Sequence, residues 1–594
     1  MTPVPRRISS ATVALALTAA GLLLPAHAAL AQRSQQSAQS RAQQKQPAAT
    51  RGAKASATSA TSAVATGGEL PLKLAPRPTA PAITAADLMT RLYIFADDSM
   101  MGREAGTPGN VKGTDYIAAE ARRIGLKPAG ENGTFFQTIP MVVRAFDPRS
   151  SLAIEGGSSF DAWSDYAPVS GALLEGFSAS RALDGVRAIY GGRLGDSTAT
   201  ITAEQAAGKL VVLSPATGPD GTPTFQFWNK GGFERFRGAA GVAIATLDIS
   251  PPGVVGYLQQ PQPDLDDHGA ATPPIALLVT RAVAERLVGA SLATAAPGTV
   301  GRGLRGEIRY TATPTPAPAR NVVAILPGSD PRLAGEYVAI GAHNDHVGIA
   351  DEAADHDSLR AFNHVLRPLG AESEPSGPET PDQVRAVRTL LDSLRHKHHA
   401  ARADSISNGA DDDGSGTVSV LEIAEELASR PVRPKRSIVF VWHTGEEKGL
   451  FGSKYYTDHP TVPRDSIVAQ LNIDMIGRGD STDLAGGSPG YLQLIGSRRL
   501  STELGDMVER VNKDSNAGLA FDYQYDANGH PMQYYCRSDH YEYARWGIPI
   551  VFFSTGGHQD YHQVTDEPQY IDYTHMARVA SFVHDVALSV ANLD

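Results

Sequence analysis

From Arg320 to the C-terminus, short apolar runs alternate with longer amphipathic segments, and this alternation constrains the fold more than any other feature of the chain. Asn321–Leu326, Tyr337–Ala342, Ser437–Trp442, Ile467–Ile473, Tyr491–Ile495 and Pro549–Phe553 are largely apolar stretches of strand length. Strands of that kind need cover on both faces. Thr417–Ser429, Ser501–Asn512 and Tyr573–Leu593 read as the helices that supply it. In the last of these, Met576, Val579, Phe582, Val583, Val586 and Val590 recur at helical spacing and form one stripe. The reading is an α/β domain: a mixed, mostly parallel central sheet flanked by helices. Sheets of that type bind ligands in the loops beyond the carboxyl ends of their strands.

Those ends are where the chemistry stands. Tyr337–Ala342 runs into His343-Asn344-Asp345-His346, and Ser437–Trp442 into His443-Thr444-Gly445-Glu446-Glu447. Ile467–Ile473 is followed by Asp474, and Pro549–Phe553 soon by Tyr561-His562. A Gly-rich acidic loop, Asn408 to Gly416, leads into the first of the helices. A single such residue usually caps a helix or faces water, but several converging on one edge of a sheet point to a bound ion. Imidazoles and carboxylates without thiolates suit catalytic zinc or a similar divalent ion. Cys536 is the only cysteine, which excludes a disulfide, a cysteine-ligated zinc knuckle and an iron–sulfur cluster. The acidic loop is no EF-hand: with Gly414 in the sixth place, Gly409 and Val420 would fall where the first and twelfth ligands belong. Gly486-Gly487-Ser488-Pro489-Gly490 fits the nucleophile-elbow spelling, but it follows a polar loop, and Pro489 has no N–H for an oxyanion hole.

The remainder of the chain divides by composition. Residues 1–31 have Arg6 and Arg7, an apolar run from Ala11 to Leu24, and small-residue sites ending at Ala31, the layout of a cleavable signal peptide. This predicts a secreted or periplasmic protein with no membrane segment after cleavage. Residues 32–79 are rich in Gln, Ser, Ala, Thr and Pro and are expected to be disordered. Residues 80–149 read as two helices, Ala85–Phe95 and Val111–Gly125, forming the N-terminal segment of the main domain. Residues 150–315 carry short β-like runs between Gly, Pro and Asp turns and are expected to form a β-rich module inserted into the domain completed by 316–594. A charged segment, 351–407, reads as a further insertion near the site rim, with a helix Pro381–Ala400 whose His396-Lys397-His398-His399 end is a solvated face. The chain's net −11, less the +8 of residues 1–80, leaves −19 on the rest. An acidic body of that kind excludes nucleic acid as a partner.

The motifs also resemble a family. Gly341-Ala342-His343 with Asp345, Asn408 to Gly416, Glu446 to Ser453, Asn472 to Gly477, Ser538-Asp539-His540 and Tyr561 to Asp566 occur in the order found in the co-catalytic di-zinc aminopeptidases. That group takes in secreted bacterial leucyl aminopeptidases and, more distantly, glutamate carboxypeptidase II and the transferrin receptor. The resemblance covers about 321–593 and extends more weakly to residues 150–315, which resemble an inserted protease-associated (PA) domain on a zinc-exopeptidase fold. It implies two zinc ions, with His343 and Asp474 on one, Glu447 and His562 on the other, and Asp412 bridging both. It implies Glu446 as general base, Asp345 as the partner that fixes the His343 tautomer, and Tyr561 as stabiliser of the tetrahedral oxyanion. Arg537 and Asp539 are further candidates for substrate contact or for support behind the ligands. A cis peptide after Asp412 is implied as well.

Two features depart from the pattern. Asp411 and Asp413 stand where the family has Asn, so the loop carries added negative charge, expected to raise metal affinity or shift the pKa of water. The interval from His343 to Asp412 is also long. The functional expectation is a secreted zinc-dependent exopeptidase acting on peptides, an aminopeptidase first. A carboxypeptidase or glutaminyl cyclase on the same fold, or a non-catalytic binding protein, is the alternative.

Overall fold

The computed structural model describes residues 70–594 apart from 170–179, 197–198, 219, 226–232, 252, 267–273, 374–378, 399–400, 482 and 485. The expected signal peptide lies outside the described residues, as do residues 32–69 of the expected disordered tract. Residues 70–79 differ from that expectation. Leu70 and Leu74 pack on the main core. Arg77 reaches Asp87 at 3.1 Å, and Thr79 Oγ1 donates to Glu425 Oε2 at 2.9 Å. A few apolar and charged side chains at its end therefore dock a segment whose composition as a whole predicts none.

The apolar runs form one nine-stranded sheet. Its order is Lys127–Pro128, Arg320–Leu326, Ser437–His443, Tyr337–His343, Ile467–Ile473, Ile550–Ser554, Tyr491–Ile495 and Ala520–Asp522, with Phe136–Thr138 also beside Arg320–Leu326. The four central strands are mutually parallel, and the sheet turns antiparallel on either side of them. Alternate residues feed two cores. Val322, Ala324 and Ile340 lie under helices Ala85–Phe95, Gly416–Ser429 and Tyr573–Ala591, while Val323, Ala339 and Val441 lie on the other face with Tyr456 and Tyr543. The parallel register sets His343 opposite His443 and Ile473 opposite Phe553, so the ends of four strands come level at one edge.

Residues 151–308 build a second nine-stranded sheet with separate apolar clusters on its two faces. Met141–Phe146 before it and Tyr310–Pro314 after it pair antiparallel, so the chain leaves the main domain and returns at one place. The 351–407 segment is closed at its root by pairing of Gly348–Asp355 with Ala403–Ser407 and holds helices His356–Leu366 and Pro381–His398. The first of these helices is not anticipated from the sequence. His396 and Lys397 are exposed, whereas the His398 side chain and His399 fall outside what is described. Among the described residues, no helix is long and apolar enough to cross a membrane.

Candidate metal centre

The levelled strand ends bring five of the expected ligands into two groups that share one residue. His343, Asp412 and Asp474 offer ligating atoms within 4.8 Å of one another, and so do His346, Asp412, Glu447 and His562. His343 Nε2 lies 3.1 Å from Asp412 Oδ1 and 3.7 Å from Asp474 Oδ1. His562 Nε2 lies 3.0 Å from Asp412 Oδ2 and 2.9 Å from Glu447 Oε2. Asp412 thus turns one oxygen to each group. His343 Nε2, His346 Nε2 and Asp412 Oδ2 are buried and make no hydrogen bond, although carboxylates and imidazoles crowd around them. Buried polar atoms left unpaired are costly, and a shared cation satisfies atoms that a proton cannot. The donor set, nitrogen and oxygen without sulfur, fits zinc.

His346 is a ligand-type residue that the sequence motifs do not assign. Its Nδ1 faces Glu447 Oε1 at 2.8 Å and Asp412 Oδ2 at 3.7 Å. The available signal is its place three residues after His343 in the same strand-end loop.

Main-chain bonds hold the ligands in place. The 410–415 loop carries a cis peptide between Asp412 and Asp413. Asp566 accepts the N–H groups of Asp411 and Asp412, each at 3.0 Å to Oδ2. Asp411 accepts the Gly477 N–H at 2.6 Å and stands 3.1 Å from His558 Nε2. Asp413 accepts the N–H groups of His343, Gly416 and Met475 at 3.0, 2.9 and 3.2 Å. The two additional acids therefore also tie the loop to neighbouring strand ends. Arg103, fully buried and contributed by the N-terminal segment, donates to the carbonyls of Asn408 at 2.6 Å and Gly409 at 3.0 Å. No motif in the sequence marks it out.

Proton positions follow from burial and neighbours. Burial would raise the Asp412 carboxyl, but His343 and His562 hold it well below the usual carboxylate range. Glu447 is brought down to about 2, since His562 and His346 outweigh its burial. Glu446 moves the other way: burial, with Glu447 and Asp474 nearby, keeps its carboxyl well above the usual range. Adjacent acids with opposite shifts can divide the work of ligation and proton transfer.

One cavity collects His343, Asp412, Asp474, Glu446, Tyr561 and Arg537, with Glu372 from the 351–407 segment on its wall. Burial pushes the Tyr561 phenol well above its usual value, so it stays a hydrogen-bond donor, and its ring stacks on that of His562 with centroids 4.0 Å apart.

Two expectations take a more specific form. Asp345 meets His343 Nδ1 through its main-chain carbonyl, at 3.1 Å, while its carboxylate is 3.9 Å away and accepts the Glu446 N–H at 3.2 Å. The tight turn after the strand points the carbonyl at the ring. Asp539 does not line the cavity. It is wholly buried with an oxygen 3.3 Å from His443 Nδ1, because the Ser538-Asp539 turn sends its side chain under the sheet edge. Ser538 instead reaches the site, donating to Asp474 Oδ2 at 2.7 Å.

His356, Asp404 and Glu567 also bring ligating atoms together. The Arg402 guanidinium donates to His356 Nδ1 at 2.8 Å. That fixes the ring proton on the other nitrogen and leaves no lone pair for a cation.

Residues 376–587 match the sequence model of Peptidase family M28. Leupeptin-inactivating enzyme 1 of Streptomyces exfoliatus is 31% identical over 169 residues, 28% of this chain and 33% of that protein. Leucine aminopeptidase 1 of Pyrenophora tritici-repentis is 28% identical over 255 residues, 41% of this chain and 61% of that protein. The chain thus spans from a third to about three fifths of the length of these curated relatives. Among solved structures, a zinc aminopeptidase from Bacillus subtilis aligns over 86% of this chain and 96% of its own at 17% identity, with a TM-score of 0.41.

Proposed function

We propose that this chain, which carries a Peptidase family M28 region, is a secreted zinc-dependent aminopeptidase that removes N-terminal residues from peptides. The observation that carries the reading is Asp412, whose two oxygens face two separate groups of ligating side chains in the cavity that also contains Glu446. His343, Asp412 and Asp474 would hold one zinc ion, and Asp412, Glu447 and His562 the other. Zinc there supplies Lewis-acid polarisation of a carbonyl and lowers the pKa of water.

The chain's own residues do the rest. Glu446, with its raised proton affinity, takes a proton from the attacking water and delivers it to the leaving amine. The Asp345 carboxylate holds the Glu446 main chain in place for that transfer. Tyr561, a neutral phenol, donates to the oxygen on which negative charge develops. Residues 150–315 are assigned as the inserted PA-like module, limiting which peptides reach the cavity.

Hydrolysis of aminoacyl-p-nitroanilides and of N-blocked peptides, before and after chelation, tests the reading. Chelator-sensitive turnover confined to free-amine substrates supports it. Release of residues from the C-termini of blocked peptides would move the assignment to a carboxypeptidase, and zinc binding without turnover would move it to a glutaminyl cyclase or a binding protein.

A further inference from the structure

The 351–407 insertion gives the cavity a carboxylate that belongs to neither ligand group. After helix His356–Leu366, the turn at 370–372 lies directly on the loop that carries Tyr561 and His562. The Ala371 N–H donates to the Tyr561 carbonyl at 3.0 Å, His364 Nδ1 meets Gln559 Oε1 at 2.6 Å, and Arg360 pairs with Asp560. Gly370 has φ +54°, and a Cβ there would stand 2.5 Å from the Tyr561 carbonyl oxygen, so the approach requires glycine. The result is a fixed placement of Glu372 on the cavity wall, its side chain 13% exposed.

Glu372 has one oxygen engaged and one open. Oε1 accepts from the Arg537 guanidinium, whose Nη2 also lies 3.5 Å from the Tyr561 hydroxyl. Oε2 lies 3.7 Å from the place a Cβ would take on Gly557, and that glycine keeps the wall beside it free of side chain. An enzyme limited to free N-termini has to offer a negative group at a set distance from where the scissile carbonyl sits. Of the carboxylates that line this cavity, Asp412, Asp474 and Glu446 already have roles in the proposed reaction, and Glu372 is the one without.

We propose that Glu372 Oε2 binds the α-ammonium of the substrate, with Arg537 as the positioning residue that ties this anchor to Tyr561. The inference rests on the aminopeptidase reading and gives it a residue supplied by the insertion. A charge-assisted hydrogen bond in a partly dry cavity is strong enough to set affinity for the substrate amine. Arg537 occupies the other oxygen and so fixes the carboxylate in one orientation.

The test compares L-leucinol with 4-methylpentan-1-ol, which lacks only the amine, as competitive inhibitors of the zinc-loaded full chain, alongside kinetics on leucyl-p-nitroanilide. In Glu372→Gln, KM for the anilide and Ki for leucinol rise about ten- to a hundredfold, as expected for loss of a hydrogen bond to a charged group. The Ki of 4-methylpentan-1-ol stays put, and kcat falls much less than KM rises. Equal changes for both inhibitors, or an unchanged KM, overturn the proposal. So does a gain in cleavage of substrates with a free C-terminal carboxylate, which would make Glu372 a blocker of Arg537. If the Gln variant melts early or loses zinc, Glu372→Asp gives the same reading, because a shortened carboxylate weakens leucinol alone. Wild-type protein that turns over no free-amine substrate would instead remove the aminopeptidase reading, a separate result.

Discussion

The sheet that ends in ligating residues and the sheet of residues 151–308 share a construction rule and differ in the residues placed beyond the last apolar one. Tyr337–His343 in one and Ile275–Val279 in the other are buried along almost their whole length, with cores on both faces. In the first, the chain passes from apolar strand straight into buried acids and imidazoles. Every group of ligating side chains among the described residues lies outside 151–308. Apolar burial therefore explains why both sheets fold and says nothing about which one reacts. The ligand-bearing sheet also holds charges whose burial is costly unless they are paired, so bound ions should stabilise it and leave the other sheet unaffected.

The sharpest way to separate the two is to remove function without removing structure. Glu446→Gln should lower kcat by a factor on the order of 10²–10⁴, the usual contribution of a positioned proton carrier, while zinc content and Tm stay at wild-type values. Loss of bound zinc along with activity would show that Glu446 acts as a ligand. The converse is Leu277→Ala in the centre of the second sheet, where the side chain is wholly buried. Denaturant unfolding should show a loss of about 2–5 kcal/mol, the range for truncating a core leucine, with kcat per folded molecule and zinc content unchanged. A matching fall in kcat would mean that the two sheets are mechanically coupled.

Much of this contrast is legible in the sequence, for a physical reason. Largely apolar runs such as Ile467–Ile473 and Tyr491–Ile495 read as buried strands, and the structure gives them the predicted bounds. Ligands at strand ends are visible for the same reason, since the strand locates them. Residues that act from a distance are not. Arg103 reaches the acidic loop from another part of the chain, and Glu372 reaches the cavity from a turn between the insertion's helices, where no apolar pattern locates it. Asp411 and Asp413 are visible as acids, but which backbone N–H groups they accept depends on how three loops meet. His346 is in plain view and lacks only the geometry that turns it toward Glu447.

The insertion also gives the ligand-bearing side a pH dependence set by a buried histidine. Burial, with Arg402 and Arg360 alongside, lowers the His356 pKa from 6.5 to about 4, against the smaller opposing pull of Asp560 and Asp357. The unfolded chain then binds the proton more readily than the folded one. The stabilisation is complete above pH 6.5 and is lost as pH falls from 6.5 towards 4. The full loss is about 3 kcal/mol, from roughly 1.4 kcal/mol per pKa unit. His356→Asn keeps an acceptor for Arg402 and should flatten this part of the stability–pH curve. An unchanged slope between pH 6.5 and 4 would show that His356 is not its source.

The smallest effect lies at the boundary between core and chemistry. Ser538 donates to Asp474 Oδ2 at 2.7 Å and accepts from Asn472 Nδ2 at 2.9 Å, so one hydroxyl links a buried strand residue to a ligand. In Ser538→Ala the carboxylate loses the bond that orients it, and the Asn472 amide loses its acceptor in a buried place. Partners of this kind are worth about 10–100-fold in metal affinity. Because Asp474 serves one ligand group and Asp412 serves both, the loss should fall on one of the two ions. Zinc titration of the chelated protein should show one binding step weakened and the other unmoved. Two steps weakened equally would mean that the ions bind as a unit through Asp412, and the division of the centre into two groups would then be geometric without being energetic.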